Sequence, residues 1–176
     1  MEQEREDEAK WIALASQGDE KAFTMLFNHY YTMIYSHCYR LALDQSVAED
    51  LAQTVFIKAA RNLASFRGPH GFKSWLYTIA SHCFHDWLRK HSREHAIRKD
   101  WESLQPYGGS DRTGYDDLHQ AVGSLPPHQR EATILVYLEN LSHREAAAVM
   151  DCAETTVSWH LCLARRTLRK TLGQTL

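Results

Sequence analysis

Leu141-Ser142-His143-Arg144-Glu145-Ala146-Ala147-Ala148-Val149-Met150-Asp151, running on through Thr155-Thr156-Val157-Ser158-Trp159-His160 to Arg169, reads as a short amphipathic helix, a sharp turn and a second helix. Small or apolar residues fall where two crossing helices must touch, and Ala147 permits a close approach. Asp151 stands where the chain turns, at a position that often needs the left-handed conformation, which Asp tolerates better than most residues. Val157 and Leu161 are then expected to face back onto Val149 and Met150. This is helix-turn-helix spacing, and the second helix of such a pair can enter the DNA major groove.

Outward from this stretch, helical periodicity dominates and strand signals are almost absent, with no Asn-Gly hairpin and no sustained period-two alternation. Pro126-Pro127 opens the preceding helix, since proline is tolerated in the first turn, and Ile134, Leu135 and Leu138 are its expected inner stripe. Farther upstream, Trp11, Leu14 and Ala15 suggest a first helix ended near Gly18. Asp19 is the expected N-cap of a second, whose apolar residues Phe23, Leu26, Phe27, Tyr30, Ile34, Cys38 and Leu41 recur in steps of three and four. Ser46-Val47-Ala48-Glu49 has the form of a capping box, which predicts a third helix from there to about Leu63. Phe66-Arg67-Gly68-Pro69-His70-Gly71 breaks the pattern as a tight loop, and a fourth helix carries Phe72, Leu76, Ile79, Cys83 and Trp87. Periodicity fades from about 92 to 115, where Pro106-Tyr107-Gly108-Gly109-Ser110-Asp111 has the composition of a connector. The expected fold is all-α, with one helical domain over residues 1–92, a flexible linker over 93–116 and a second helical domain over 117–176.

Bulk properties narrow the function. A chain of 176 residues can bury one or two modest cores. No apolar run is long enough to span a bilayer, and the acidic start lacks the basic and apolar segments of a secretory signal, so a cytoplasmic location is expected and no membrane insertion. The four cysteines form no CxxC pair and read as small apolar fillers in a reducing compartment. The formal net charge is −2, but its distribution is uneven. Seven acids lie in the first twenty residues, whereas nine bases face only Asp86 and Glu94 between Lys58 and Lys99. That asymmetry fits a basic face on one module.

Two motif groups together resemble one family, the extracytoplasmic-function (ECF) sigma factors. The first is Ala48-Glu49-Asp50-Leu51-Ala52-Gln53-Thr54-Val55-Phe56-Ile57-Lys58-Ala59 with Phe66-Arg67-Gly68 and Phe72-Lys73-Ser74-Trp75-Leu76-Tyr77-Thr78-Ile79-Ala80. The second is Leu125-Pro126-Pro127-His128-Gln129-Arg130-Glu131 with the helix-turn-helix. Their order, spacing and intervening connector match sigma regions 2 and 4 over roughly residues 10–92 and 117–172. The resemblance implies a non-catalytic factor that binds core RNA polymerase, directs it to promoter DNA and helps open the duplex, with an anti-sigma factor as a possible regulator and no cofactor. It implies polymerase contact at Asp50, Gln53, Phe56 and Ile57.

Opening DNA requires a groove for phosphates and a surface for an unstacked base. Arg67, Lys73, Arg89 and Lys90 are the cations available for the −10 element, and His70, Tyr77 and His82 the planar groups. Phe72, Trp75 and Trp87 lie at helical spacing and read as core. For the −35 element, Thr155, Thr156, Ser158, Trp159 and His160 are candidates for base edges, and Arg144, Arg165, Arg166 and Lys170 for phosphates. Ser158-Trp159-His160 replaces a Lys-Ser-Arg common in these factors, and Cys162-Leu163 replaces a His-Arg pair, so cations are missing where backbone contact is expected. A decoy that occupies an anti-sigma factor without initiating transcription is the alternative that this depletion suggests. Eleven histidines raise a metal-site reading, centred on His82 and His85 at i, i+3. With no HExxH, no CxxC and no third ligand evident on that face, no metal is assigned.

Overall fold

A computed structural model describes residues 2–67, 71–97 and 121–173, of which 2–5, 92–97 and 172–173 are described by main chain alone. The helices are α1 (Glu2–Ala15), α2 (Glu20–Ala42), α3 (Gln45–Asn62), α4 (Gly71–Ile97), α5 (Pro127–Thr133), α6 (His143–Val149) and α7 (Glu154–Gly173). No strand occurs among the described residues. The chain divides into two compact units, Met1–Cys83 and Phe84–Leu176, with the division inside α4. The linker expected from residue 93 therefore starts within a helix that continues to Ile97, and residues 98–120 lie outside the described part.

In the first unit, α2 packs on both α1 and α3. Gly18 takes φ +94° after α1, and Asp19 then caps α2 by accepting the Ala22 N–H at 2.9 Å, as its position predicts. Most of the predicted stripe is inside: Leu26, Tyr30, Ile34, Cys38 and Leu41 are buried, whereas Phe23 and Phe27 are half-buried. Tyr30 also donates its hydroxyl to Glu8 Oε1 at 2.7 Å, fastening α1 to α2, and burial followed by this carboxylate raises the phenol well above its usual range.

The start of α3 differs from expectation. Leu43 closes α2 in the left-handed region (φ 60°), and Asp44 caps α3 by accepting the Val47 N–H at 2.9 Å. The helix is already under way at Ser46, so that serine is not the cap. Its inner face is Ala48, Leu51, Ala52, Val55, Phe56 and Ala59. Phe72, Leu76, Tyr77, Ala80 and Cys83 of α4 are buried as well. Phe66, Phe72 and Trp75 form an aromatic cluster with centroids 5.1–5.5 Å apart.

In the second unit, Pro127 occupies the first turn of α5, which then widens into a π-helical segment over Ile134–Leu138. Ile134 and Leu135 are buried, but the wider turn carries Leu138 out to solvent, correcting its placement in the inner stripe. The segment ends with Asn140 at φ 57° and the Leu141 N–H donating to the Leu135 carbonyl at 3.0 Å. Ser142 and Glu145 close a reciprocal capping box at the start of α6. Asp151 adopts φ 49°, the conformation expected at the turn, and the Cys152 N–H donates to the Ala147 carbonyl at 3.0 Å. Ala146, Ala147 and Val149 are buried with Val157, Leu161 and Ala164 of α7. Of the cysteines, Cys38 and Cys83 are buried fillers, whereas Cys162 is exposed; burial pushes the Cys38 thiol up to about 12.

Candidate nucleic-acid interface

Three surfaces follow from these helices. On α3, Asp50 and Gln53 are exposed and Ile57 is 53% exposed, at i, i+3 and i+7, so they share one outward face. Phe56 does not join them. It is buried against Phe27, with centroids 4.8 Å apart, and supports the helix from within. An apolar residue at i+3 from an exposed Gln falls on the helix edge, and the Phe27 and Tyr31 rings draw it inward.

Around α4, Arg67 is exposed and its Nη1 donates to the Phe66 carbonyl at 2.7 Å and the Ala64 carbonyl at 3.2 Å, which holds the guanidinium at the end of the α3 turn. Lys73 is half-buried, with Nζ 5.6 Å from the Tyr77 ring centroid. Tyr77 itself is 0% exposed and packs on His37 with centroids 4.6 Å apart, so its ring is not available to stack on a base. His82, Arg89 and Lys90 are exposed, and Arg89 pairs with Asp86 one turn before it. His70 lies outside the described residues.

On α6 and α7, the outward residues are Arg144, Thr155, Ser158, Arg165 and Arg166, with Thr156 half-buried. Trp159 is 58% exposed, a large apolar surface at the middle of the second helix. The side chain of His143 on α6 meets Ser158 on α7, with Nδ1 and Oγ 3.1 Å apart, which ties the two helices across the turn. His160 is half-buried and turned toward α5, where its ring stacks on His128 with centroids 5.7 Å apart. Desolvation, reinforced by His128, lowers the His160 pKa. It is therefore a packing residue as well as a neighbour of the exposed Ser158 and Trp159.

The second unit also contains a group that local pattern does not reveal. Glu131 on α5 is 0% exposed, and His85 Nε2–H donates to its Oε2 at 2.7 Å. His128 Nδ1 lies 4.0 Å from the same oxygen. His85, His128 and Glu131 each offer a donor atom within 4.8 Å of the others, so the histidine that gathers partners is His85 with α5, not His85 with His82. The Glu131 hydrogen bond raises the His85 pKa, against the lowering effect of burial. The one local signal was His128-Gln129-Arg130-Glu131, which sets an imidazole and a carboxylate on one helical face. Arg130 points elsewhere, its Nη2 donating to the Gly123 carbonyl at 2.6 Å and the Leu125 carbonyl at 3.2 Å. Among the described residues, no helix is long and apolar enough to cross a membrane.

Comparison with known proteins finds similarity to one family along most of the chain. The family description Sigma-70 region 2 matches residues 26–94, and Sigma-70, region 4 matches residues 115–168. The RNA polymerase sigma-H factor of Pseudomonas aeruginosa is 31% identical across 96% of this chain and 95% of its own length. The ECF RNA polymerase sigma-E factor of Escherichia coli is 32% identical across 89% of this chain and 90% of its own. Among solved structures, the sigma factor RpoE in complex with the anti-sigma factor NepR from Bartonella quintana aligns with a TM-score of 0.73 at 28% identity, over 87% of this chain and 98% of that one. CnrH, solved with the cytosolic domain of CnrY, shares the fold with a TM-score of 0.69 at 21% identity, over 96% of this chain and 98% of its own.

Proposed function

This chain belongs to the ECF sigma factors, and from that membership we propose that it binds core RNA polymerase and directs it to promoters, reading the −10 element with its first domain (residues 1–92) and the −35 element with its second (117–176). The observation that carries the reading is that one chain presents both an outward polar stripe on α3, Asp50-Gln53-Ile57, and a helix-turn-helix whose second helix exposes Thr155, Ser158, Arg165 and Arg166. A carboxylate and an amide on one face suit a partner surface rich in arginine and backbone donors, and Ile57 supplies apolar area beside them. The factor acts by binding and positioning, and the polymerase supplies the chemistry.

On the promoter, Arg67, Lys73, Arg89 and Lys90 neutralise phosphates near the −10 element, and His82 is an exposed planar group of α4. At the −35 element, Arg144, Arg165 and Arg166 fix the register by phosphate contact while Thr155, Thr156 and Ser158 meet base edges. Trp159 offers its ring to thymine methyl groups, a contact that needs no cation. Run-off transcription tests the reading: this protein with core polymerase is expected to yield a discrete transcript from the promoter upstream of its own gene, and no transcript without it. Absence of any specific transcript refutes initiation.

A second reading draws on the exposed Trp159 and on Ser158 and His160 standing where the family commonly carries cations. In that reading the chain is a sigma-like decoy or adaptor that occupies an anti-sigma factor, a class of partner carried by its relative RpoE. Pull-down with core polymerase separates the two, since a decoy does not require the α3 surface to engage it.

A further inference from the structure

We propose that His85, His128, Glu131 and His160 form a binding site for one divalent metal ion of the zinc class. The four residues come from three helices of the second compact unit: His85 from α4, His128 and Glu131 from α5, and His160 from α7. Glu131 lies at the bottom, fully buried, and the imidazoles form a row above it, His85 to His128 at 4.7 Å and 24°, then His128 to His160 at 5.7 Å and 23°. His160 Nδ1 is buried without a hydrogen-bond partner. His128 leaves the site open to solvent, with its side chain 62% exposed.

The chemistry of the set selects the ion. Imidazole nitrogens with one carboxylate suit zinc, whereas magnesium and calcium require mostly oxygen donors. Bonds of about 2.1 Å to a tetrahedral ion set neighbouring donors about 3.4 Å apart. Glu131 Oε2 is 2.7 Å from His85 Nε2 and 4.0 Å from His128 Nδ1, so among the three donors that lie within 4.8 Å of one another one pair opens and the other closes by about 0.6–0.7 Å, and His160, beside His128 but outside that group, turns in as the fourth ligand. A divalent cation also gives the buried His160 Nδ1 a partner.

The position gives the ion a consequence. His85 falls within the region 2 match, whereas His128, Glu131 and His160 fall within the region 4 match. An ion held here joins the middle of α4 to α5 and to the recognition helix α7. Metal availability would then bear on the helix that reads DNA.

The test uses the full chain stripped with a chelator and titrated with zinc against a chromophoric competitor. One ion per chain is expected, with a rise in melting temperature on addition. His128→Ala, at an exposed position, is expected to weaken zinc binding at least about tenfold while leaving the metal-free melting temperature within about 2 °C of the parent, and His160→Ala to weaken it similarly. His82→Ala is expected to leave zinc affinity unchanged. Cobalt substituted for zinc should give the intense visible bands of a four-coordinate ion. Failure to bind a stoichiometric ion, parental affinity in His128→Ala or His160→Ala, a loss in His82→Ala, or only weak six-coordinate cobalt bands each overturn the site.

Discussion

Helices α3 and α7 are both amphipathic, yet they carry their outward residues in different ways. The outer face of α3 is self-contained: Asp50, Gln53 and Ile57 project from a helix whose opposite side is filled by Leu51, Ala52, Val55, Phe56 and Ala59. The outer face of α7 is shared. Val157, Leu161 and Ala164 are buried, but His160 is drawn sideways onto His128, and Ser158 meets His143 of α6. The proposed docking surface thus rests on one helix, whereas the proposed recognition surface depends on three. Changes made on α5 or α6 should therefore be felt on α7, and changes outside α3 should leave its stripe alone.

The largest expected effect lies on the inner faces. Leu161→Ala removes a side chain that is fully buried, and should destabilise the second unit by about 2–5 kcal/mol, read from its denaturant midpoint. Leu51→Ala on α3 should cost a similar amount in the first unit. Equal losses would show that the helices differ only outside the core.

Next comes charge reversal on the self-contained face. Asp50→Arg should weaken association with core polymerase at least about 100-fold, or about 2.7 kcal/mol, with the unfolding midpoint unchanged because Asp50 is exposed. Parental association would remove α3 as the docking face. On α7, Arg165→Ala with Arg166→Ala should reduce promoter affinity about tenfold and shrink the log–log salt slope by about 1.8, the contribution of about two phosphates. An unchanged slope would mean that neither guanidinium meets the DNA backbone.

What could be read in advance followed from local rules. Asp19 at the cap of α2, Pro127 in the first turn of α5 and Asp151 in the left-handed region all depend on chain geometry within a few residues. The misplaced features involve competition between such rules or distant contacts. Ser46 satisfied a capping pattern, but Leu43 ends α2 so abruptly that Asp44 reaches the Val47 N–H first. Leu138 kept helical spacing in sequence while a π-helical turn rotated it outward. Tyr77 had the chemistry of a base-stacking group, yet His37, forty positions earlier, covers it. The meeting of His85 with Glu131 spans 46 residues, and no periodicity within either helix encodes a partner at that distance. The motif order identified the domains, but only the fold could show which side chains share a surface.

The smallest effect sharpens the comparison most, because it separates stability from function. Ser142→Ala removes the hydroxyl that accepts the Glu145 N–H at 3.2 Å, and Asp44→Ala removes the carboxylate that accepts the Val47 N–H at 2.9 Å. Each loss should cost about 1 kcal/mol in the unit that contains it, measured by denaturant melts. The functional readouts should differ. Asp44 lies at the start of α3, more than a turn before Asp50, so a frayed first turn leaves the polymerase stripe in place. Ser142 anchors the first turn of α6, where His143 holds Ser158, so fraying there loosens the recognition helix directly. Ser142→Ala should therefore weaken promoter binding severalfold while Asp44→Ala leaves polymerase binding at its parental value. Equal behaviour of the two variants in binding would mean that α7 holds its DNA face without α6, and that the two helices are built alike after all.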